Sequence, residues 1–132
     1  MKANLRTLVC IAALVVAAPA LAQQYPSKPV RLIVPFAAGG PTDVIARVVA
    51  QRLSEAWGQQ VITENIPGAG GNTGVAMAAR AAADGYTMLV VSTGFMVNPS
   101  MYSKIPYDPV KDFSPVTLVA ASPNVISVHP TF

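Results

Sequence analysis

The sequence predicts an α/β fold in which helices flank a parallel sheet, and three observations lead there. An apolar, β-branched run (Val30, Leu32, Ile33, Val34) is hydrophobic enough to be covered on both faces, as central parallel strands are. It leads through a small-residue turn into a stretch whose apolar residues recur with the helical period. The same strand–turn–helix order then repeats with connections of only a few residues, as a right-handed parallel sheet requires.

The first 22 residues read as a leader outside the fold. Lys2 and Arg6 form a positive start, residues 8–16 are uninterruptedly apolar, and Ala20-Leu21-Ala22 is a small-x-small cleavage site. The apolar stretch is shorter than the roughly 20 residues of a membrane span, so cleavage before Gln23 is expected rather than anchoring. The only cysteine, Cys10, leaves with this segment. A mature chain without a thiol excludes a disulfide framework, a thiolate metal site and a cysteine nucleophile, and it suits a bacterial periplasm. Seven basic residues then face six acidic ones, with no Lys/Arg cluster. A nucleic-acid partner is therefore not expected, and the pI of 9.3 owes part of its height to the leader.

Each element has its own local reasons. After the strand at residues 30–34, the helix expected at 42–57 carries Ile45, Val48, Val49, Leu53 and Trp57 on one face, with Arg47, Gln51 and Glu55 elsewhere. Pro41 suits its first position, Thr42 or Gly40 its cap, and Gly58 its end. A second strand is expected at 61–64, then a glycine-rich turn at 65–71 (NIPGAGG) and a small-residue helix at 72–82. Asp84-Gly85 turns the chain into a third strand at 86–92. Beyond it the pattern loosens into a loop at 93–99, a short helical turn at 99–102 and a surface connection at 104–114. Two further strands are expected at 115–121 and 125–129, with no helix after them to cover the last.

Three loops, at residues 36–43, 67–73 and 92–98, thus fall at the carboxyl ends of successive strands, the edge where open parallel sheets bind ligands. Their glycines let backbone N–H groups and helix N-termini approach a small anion such as a carboxylate or phosphate. Free donors are expected from Thr42, Asn72, Thr73, Ser92, Thr93 and Asn98. With no Lys or Arg in the loops, an anion would be held by N–H groups, hydroxyls, helix dipoles and water, each contributing about 1 kcal/mol. Asp43 either supports the first helical turn or grips an amine or hydroxyl of the ligand. Phe36 and Phe95 either line a pocket or pack the core. Trp57 is expected at a helix end, and His129 in a strand or linker. No Gly-x-Ser-x-Gly elbow and no Gly-Lys-Ser/Thr phosphate loop occurs. One histidine and no mature cysteine assemble neither a nucleophile–base pair nor a soft-metal site, and no cofactor is expected. Residues 68–74 only imitate a dinucleotide fingerprint, because Thr73 stands where its last glycine belongs.

The run YPSKPVRLIVPFAAGGPTDVIARVVAQRLSEAWGQQVITENIPGAGGNTGVAMAARAAADGYTMLVVSTG, which starts at Tyr25, resembles the Bug-type receptors, the periplasmic solute-binding proteins of tripartite tricarboxylate transporters. The likeness continues through Asn98-Pro99, the KIPYDP stretch from Lys104, Asp112-Phe113 and Ser122-Pro123-Asn124-Val125. It implies an α/β periplasmic binding protein fold (type II, Venus-flytrap), of which this chain is the first lobe with a parallel sheet and flanking helices, truncated at the start of the second lobe. A small carboxylate would sit between the lobes on backbone N–H groups and bridging water, without a cofactor. The other partners implied are the membrane components of the transporter, with no membrane insertion of the receptor after leader cleavage. Carried over by position, the contacts would come from Phe36, Ala38, Gly39, Gly40 and Thr42; from Gly68, Gly70, Gly71, Asn72 and Thr73; and from Ser92, Thr93 and Gly94. Asp43 matches an acidic position of the first motif. The division implied is a leader at 1–22, an incomplete first lobe at 23–121 and the start of a second lobe at 122–132.

Members of that family are longer, with a second lobe and a return of the chain into the first. The expectation for the 132-residue chain alone is therefore weak or no carboxylate binding, and a sheet whose open edge promotes aggregation. A second reading stays open from the residues: the N-terminal part of an anion-using α/β enzyme whose catalytic groups lie in the remaining half.

Overall fold

The computed structural model describes residues 24–123 and 125–131; the expected leader at residues 1–22 lies outside them. Three parallel strands, β1 (Val30–Val34), β2 (Val61–Asn65) and β3 (Thr87–Leu89), form a sheet in the order β2-β1-β3. Val30 stands opposite Val61 and Val34 opposite Asn65, while Arg31 pairs with Thr87 and Ile33 with Leu89. The chain steps one way from β1 to β2, then back past β1 to β3. Right-handed crossovers in opposite directions place their helices on opposite faces.

The packing follows from the strand's period of two. Helix α1 (Pro41–Trp57) covers one face, where Leu32 and Val34 pack with Ala46 and Ala50. Helix α2 (Asn72–Ala79) covers the other, where Val75 and Ala76 lie with Leu89 and Val91. Val30, Leu32, Ile33 and Val34 are all fully buried, as expected of the central strand. The buried stripe of α1 is Asp43, Ala46 and Ala50, not the larger apolar residues. Ile45, Val49, Leu53 and Trp57 are half-buried, and Val48 is exposed. Alanines let the helix axis approach the sheet closely, which turns Val44 and Val48 outward. Trp57 meets the edge of Tyr25 at the helix end, where Tyr25, Ser27 and Lys28 strap the chain to Gly85, Tyr86 and Asp84.

Several elements differ from expectation. The strand expected at 86–92 shrinks to three residues because β1 runs into Pro35, which has no N–H; the last bond is from Val90 N to Ile33 O. Helix α2 stops at Ala79, where the chain tightens into a turn closed by Ala81 N on Ala78 O. Residues 94–101, expected as loop up to a short helical turn at 99–102, form one helix, α3 (Gly94–Met101), with Pro99 inside it. Tyr102 N bonds Asn98 O and carries the turn past Pro99. The connection at 104–114 is no mere surface segment. Tyr107 is buried and stacks on Phe95 with ring centroids 5.9 Å apart, and Phe113 meets both rings edge-on, so this segment closes the second core. Neither strand expected at 115–121 or 125–129 is present among the described residues. A strand needs a partner ladder and none pairs there, which leaves Leu118 81% and Ile126 91% exposed. His129 is exposed and, among the described residues, hydrogen-bonds only with Thr131. No helix among them is long and apolar enough to cross a membrane.

Candidate functional site at the carboxyl edge of the sheet

Because all three strands run parallel, the loops that follow them and the N-termini of α1, α2 and α3 gather at one edge. The switch in strand order lies between β1 and β3, the position at which open parallel sheets ordinarily take a ligand. None of the three helices carries a side-chain cap: α1 starts from Gly40, α2 from Gly71 and α3 from Thr93. Helix N-termini ordinarily recruit a Ser, Thr, Asp or Asn oxygen to satisfy their first N–H groups. In α1, Pro41 has no N–H and Val44 N bonds Gly40 O, so the first-turn N–H groups of Thr42 and Asp43 face the edge without a cap.

Asp43 organises the first loop. Its carboxylate is only 2% exposed, and it accepts from Gly39 N at 2.8 Å, Arg47 Nε at 2.9 Å and Asn65 Nδ2 at 2.8 Å. Asn65 Nδ2 also donates to Phe36 O, and Arg47 Nη2 donates to Asn65 Oδ1. The Arg47 guanidinium first, then the Gly39 N–H and the Asn65 amide, hold the Asp43 carboxyl down at about 2. Of the two roles open to Asp43, this geometry is that of helix and loop support. Arg47 also neutralises the charge that would repel an anion at α1.

The second loop, which includes a 3₁₀ turn at Ala69–Gly71, turns most of its donors inward. Gly71 N and Thr73 N bond Gly68 O, and Asn72 N bonds Ala69 O. Outward donors are therefore fewer here than expected; Thr73 Oγ1 has no partner among the described residues. Gly70 and Gly71 both take positive φ, and a Cβ on Gly71 would touch Pro35 and Phe36 at 3.5 Å. The first two loops are thus in contact. Phe36 is half-buried between Gly71 and the first core, and Phe95 belongs to the second core.

Asn98, expected as a free donor, is instead a brace. Its amide donates to Gly70 O at 3.1 Å and to Asn72 Oδ1 at 2.8 Å, and Tyr107 OH donates to the same Asn72 oxygen at 2.7 Å. All three side chains are buried. Asn72 Nδ2 keeps no acceptor among the described residues. Ala38 and Gly68 are exposed, and Gly40, Thr42 and Gly94 are partly so. Ser92 and Thr93 are exposed on the third loop, and their side chains bond neither of the other two; their carbonyls start α3 through Phe95 N and Met96 N. The residues missed by sequence reasoning are the supports Asn65, Arg47 and Tyr107. Only Arg47 left a signal, its position four residues after Asp43 on one helix.

Comparison with known proteins places this edge in context. The family model described as "Tripartite tricarboxylate transporter family receptor" matches residues 45–132. Protein BugT of Bordetella pertussis is 43% identical over 124 residues, which cover 92% of this chain and 38% of BugT. Among solved structures, periplasmic binding protein BugD superposes with a TM-score of 0.66 at 46% identity, over 69% of this chain and 30% of BugD. MatC from Rhodopseudomonas palustris with bound malate gives a TM-score of 0.64 at 37% identity, over 72% of this chain and 33% of MatC. The chain spans 30% to 38% of the length of these relatives. The α/β arrangement of β1 to β3 and their helices is that of a periplasmic binding protein. The chain belongs to the tripartite tricarboxylate transporter receptor family.

Proposed function

We propose that this chain supplies one wall of a periplasmic receptor site for a small carboxylate, which the whole protein passes to the membrane components of a tripartite transporter. The observation that carries the reading is the convergence of three uncapped helix N-termini on one sheet edge. The free first-turn N–H groups of α1 and the positive ends of three helices suit an anion, and the hydroxyls of partly exposed Thr42 and of exposed Thr73, Ser92 and Thr93 suit a hydrated carboxylate. Bound malate in MatC supports the ligand class. In this reading Gly39, Gly40, Thr42, Thr73, Ser92, Thr93 and Gly94 face the ligand, with Phe36, Ala38, Gly68, Gly70 and Gly71 shaping the wall and Asn72 offering Nδ2. Asp43 positions the first loop. The leader at 1–22 and the lobe boundary near residue 122 belong to the same proposal, and so does weak binding by the 132-residue chain alone. The enzyme reading loses its support to the family match, since that family is one of receptors.

The test is an NMR titration of the ¹⁵N-labelled chain with malate and with its uncharged dimethyl ester. Malate is expected to shift the amides of Thr42, Asp43, Thr73 and Gly94 with a Kd on the order of millimolar, and the ester to leave them in place. Equal responses to both compounds, or shifts confined to residues away from the carboxyl edge, would reject the reading.

A further inference from the structure

Seven basic side chains lie in the described part of the chain, and five of them are ion-paired. Lys28 meets Asp84, Arg31 meets Glu64, Arg47 meets Asp43, Arg52 meets Glu55 and Lys111 meets Asp108. Arg80 and Lys104 alone have no carboxylate partner among the described residues. Both line the same cleft, of about 410 Å³, on the flank of α2. Ala76, Met77 and Pro106 are among its apolar lining. Tyr102 also lines it, its hydroxyl so close to Gly70 that a Cβ there would lie 2.6 Å from it, and that hydroxyl has no hydrogen-bond partner among the described residues.

Two unpaired cations over an apolar floor make an amphipathic cleft, and its volume lies in the range of small-molecule sites. We infer that this cleft binds an organic carboxylate with an apolar chain, its carboxylate between Arg80 and Lys104 and its carbon chain on Ala76, Met77 and Pro106. The chemistry differs from that proposed for the sheet edge, where no cation lines the loops and recognition rests on N–H groups and hydroxyls. The inference stands independently of that reading, although Asn72 and Thr73 border both places. Charge-assisted bonds from guanidinium and ammonium groups are the stronger class of hydrogen bond, and the apolar floor selects against short acids.

The test follows the methyl resonance of Met77 in the 132-residue chain as hexanoate, acetate or hexanamide is added. Hexanoate is expected to shift it saturably, whereas acetate and the neutral amide leave it in place. Both cations are exposed, so the double variant R80Q/K104Q should fold. It is expected to weaken hexanoate binding on the order of tenfold or more, and R80K/K104R to restore it. Malate-induced shifts at Thr42 and Gly94 should persist in R80Q/K104Q, which separates failure here from failure of the edge site. An unshifted Met77 methyl, an equal response to hexanamide, or unchanged hexanoate affinity in R80Q/K104Q overturns the inference.

Discussion

At the scale of single residues, two buried polar side chains hold the candidate site. Asp43 ties Gly39, Arg47 and Asn65 together, and Asn72 receives Asn98 and Tyr107. The Asp43 carboxyl titrates at about 2 in the folded chain against an ordinary 3.8. A lowered folded value means that its stabilisation is complete above about pH 4 and is lost as pH falls toward 2. Glu64, Asp84 and Asp108 are lowered too, so acid destabilisation is shared among them. The difference between wild type and D43N isolates one contributor. D43N is expected to melt several degrees lower at pH 7, with the gap closing between pH 4 and 2; a gap constant with pH would show that Asp43 acts through packing alone. Y107F keeps the ring on Phe95 but removes the bond to Asn72. Urea unfolding should show a loss of about 1 kcal/mol, and an unchanged midpoint would mean that Asn98 suffices.

At the scale of elements, the decisive feature is how closely the second loop and α2 approach β1. A Cβ on Gly74 would lie 2.7 Å from Ile66 O and 2.8 Å from Pro35 Cβ, so no side chain fits without moving α2. G74A is expected to cost on the order of 2 kcal/mol in urea unfolding through overpacking. At Gly39, with φ of +83° and open space around it, alanine should cost about 1 kcal/mol from backbone conformation alone. Equal losses at the two sites would refute the steric account of Gly74. The strands and α1 were legible in the sequence because a buried β-branched run, Pro41 and Gly58 are local signals. The limits of β3 were not, since they depend on where its neighbour β1 meets Pro35. Of helix α3 only a short turn from Pro99 was legible, its first residues reading as loop, and the roles of Asn98 and Tyr107 rest on contacts 26 and 35 residues away from Asn72. For the candidate site, glycine spacing marked the edge where the three loops meet. It did not reveal which donors turn inward, because Gly68 O and Ala69 O claim the second loop's N–H groups only once its backbone has folded.

At the scale of the whole molecule, two packed faces coexist with a long segment that packs on neither. Leu32, Val34, Ala46 and Ala50 fill one side and Val75, Ala76 and Tyr107 the other, while Val116, Leu118, Val125 and Ile126 are each more than 80% exposed. Exposed apolar side chains contribute nothing to folding until something covers them, and in solution they favour association with other copies. Ending the chain after Ser114 should therefore leave the melting temperature within about 2 °C and lower the apparent mass in light scattering at high concentration. If the shortened chain instead melts more than about 5 °C lower, residues 115–131 bury apolar area against the folded body in solution. The free side of β3 is one place with unpaired backbone groups to receive them, and the free side of β2 is the other. Hydrogen exchange at Thr87–Leu89 tests the β3 edge. A strand paired on one side only keeps half its amides open to solvent, whereas pairing on both sides would protect all three.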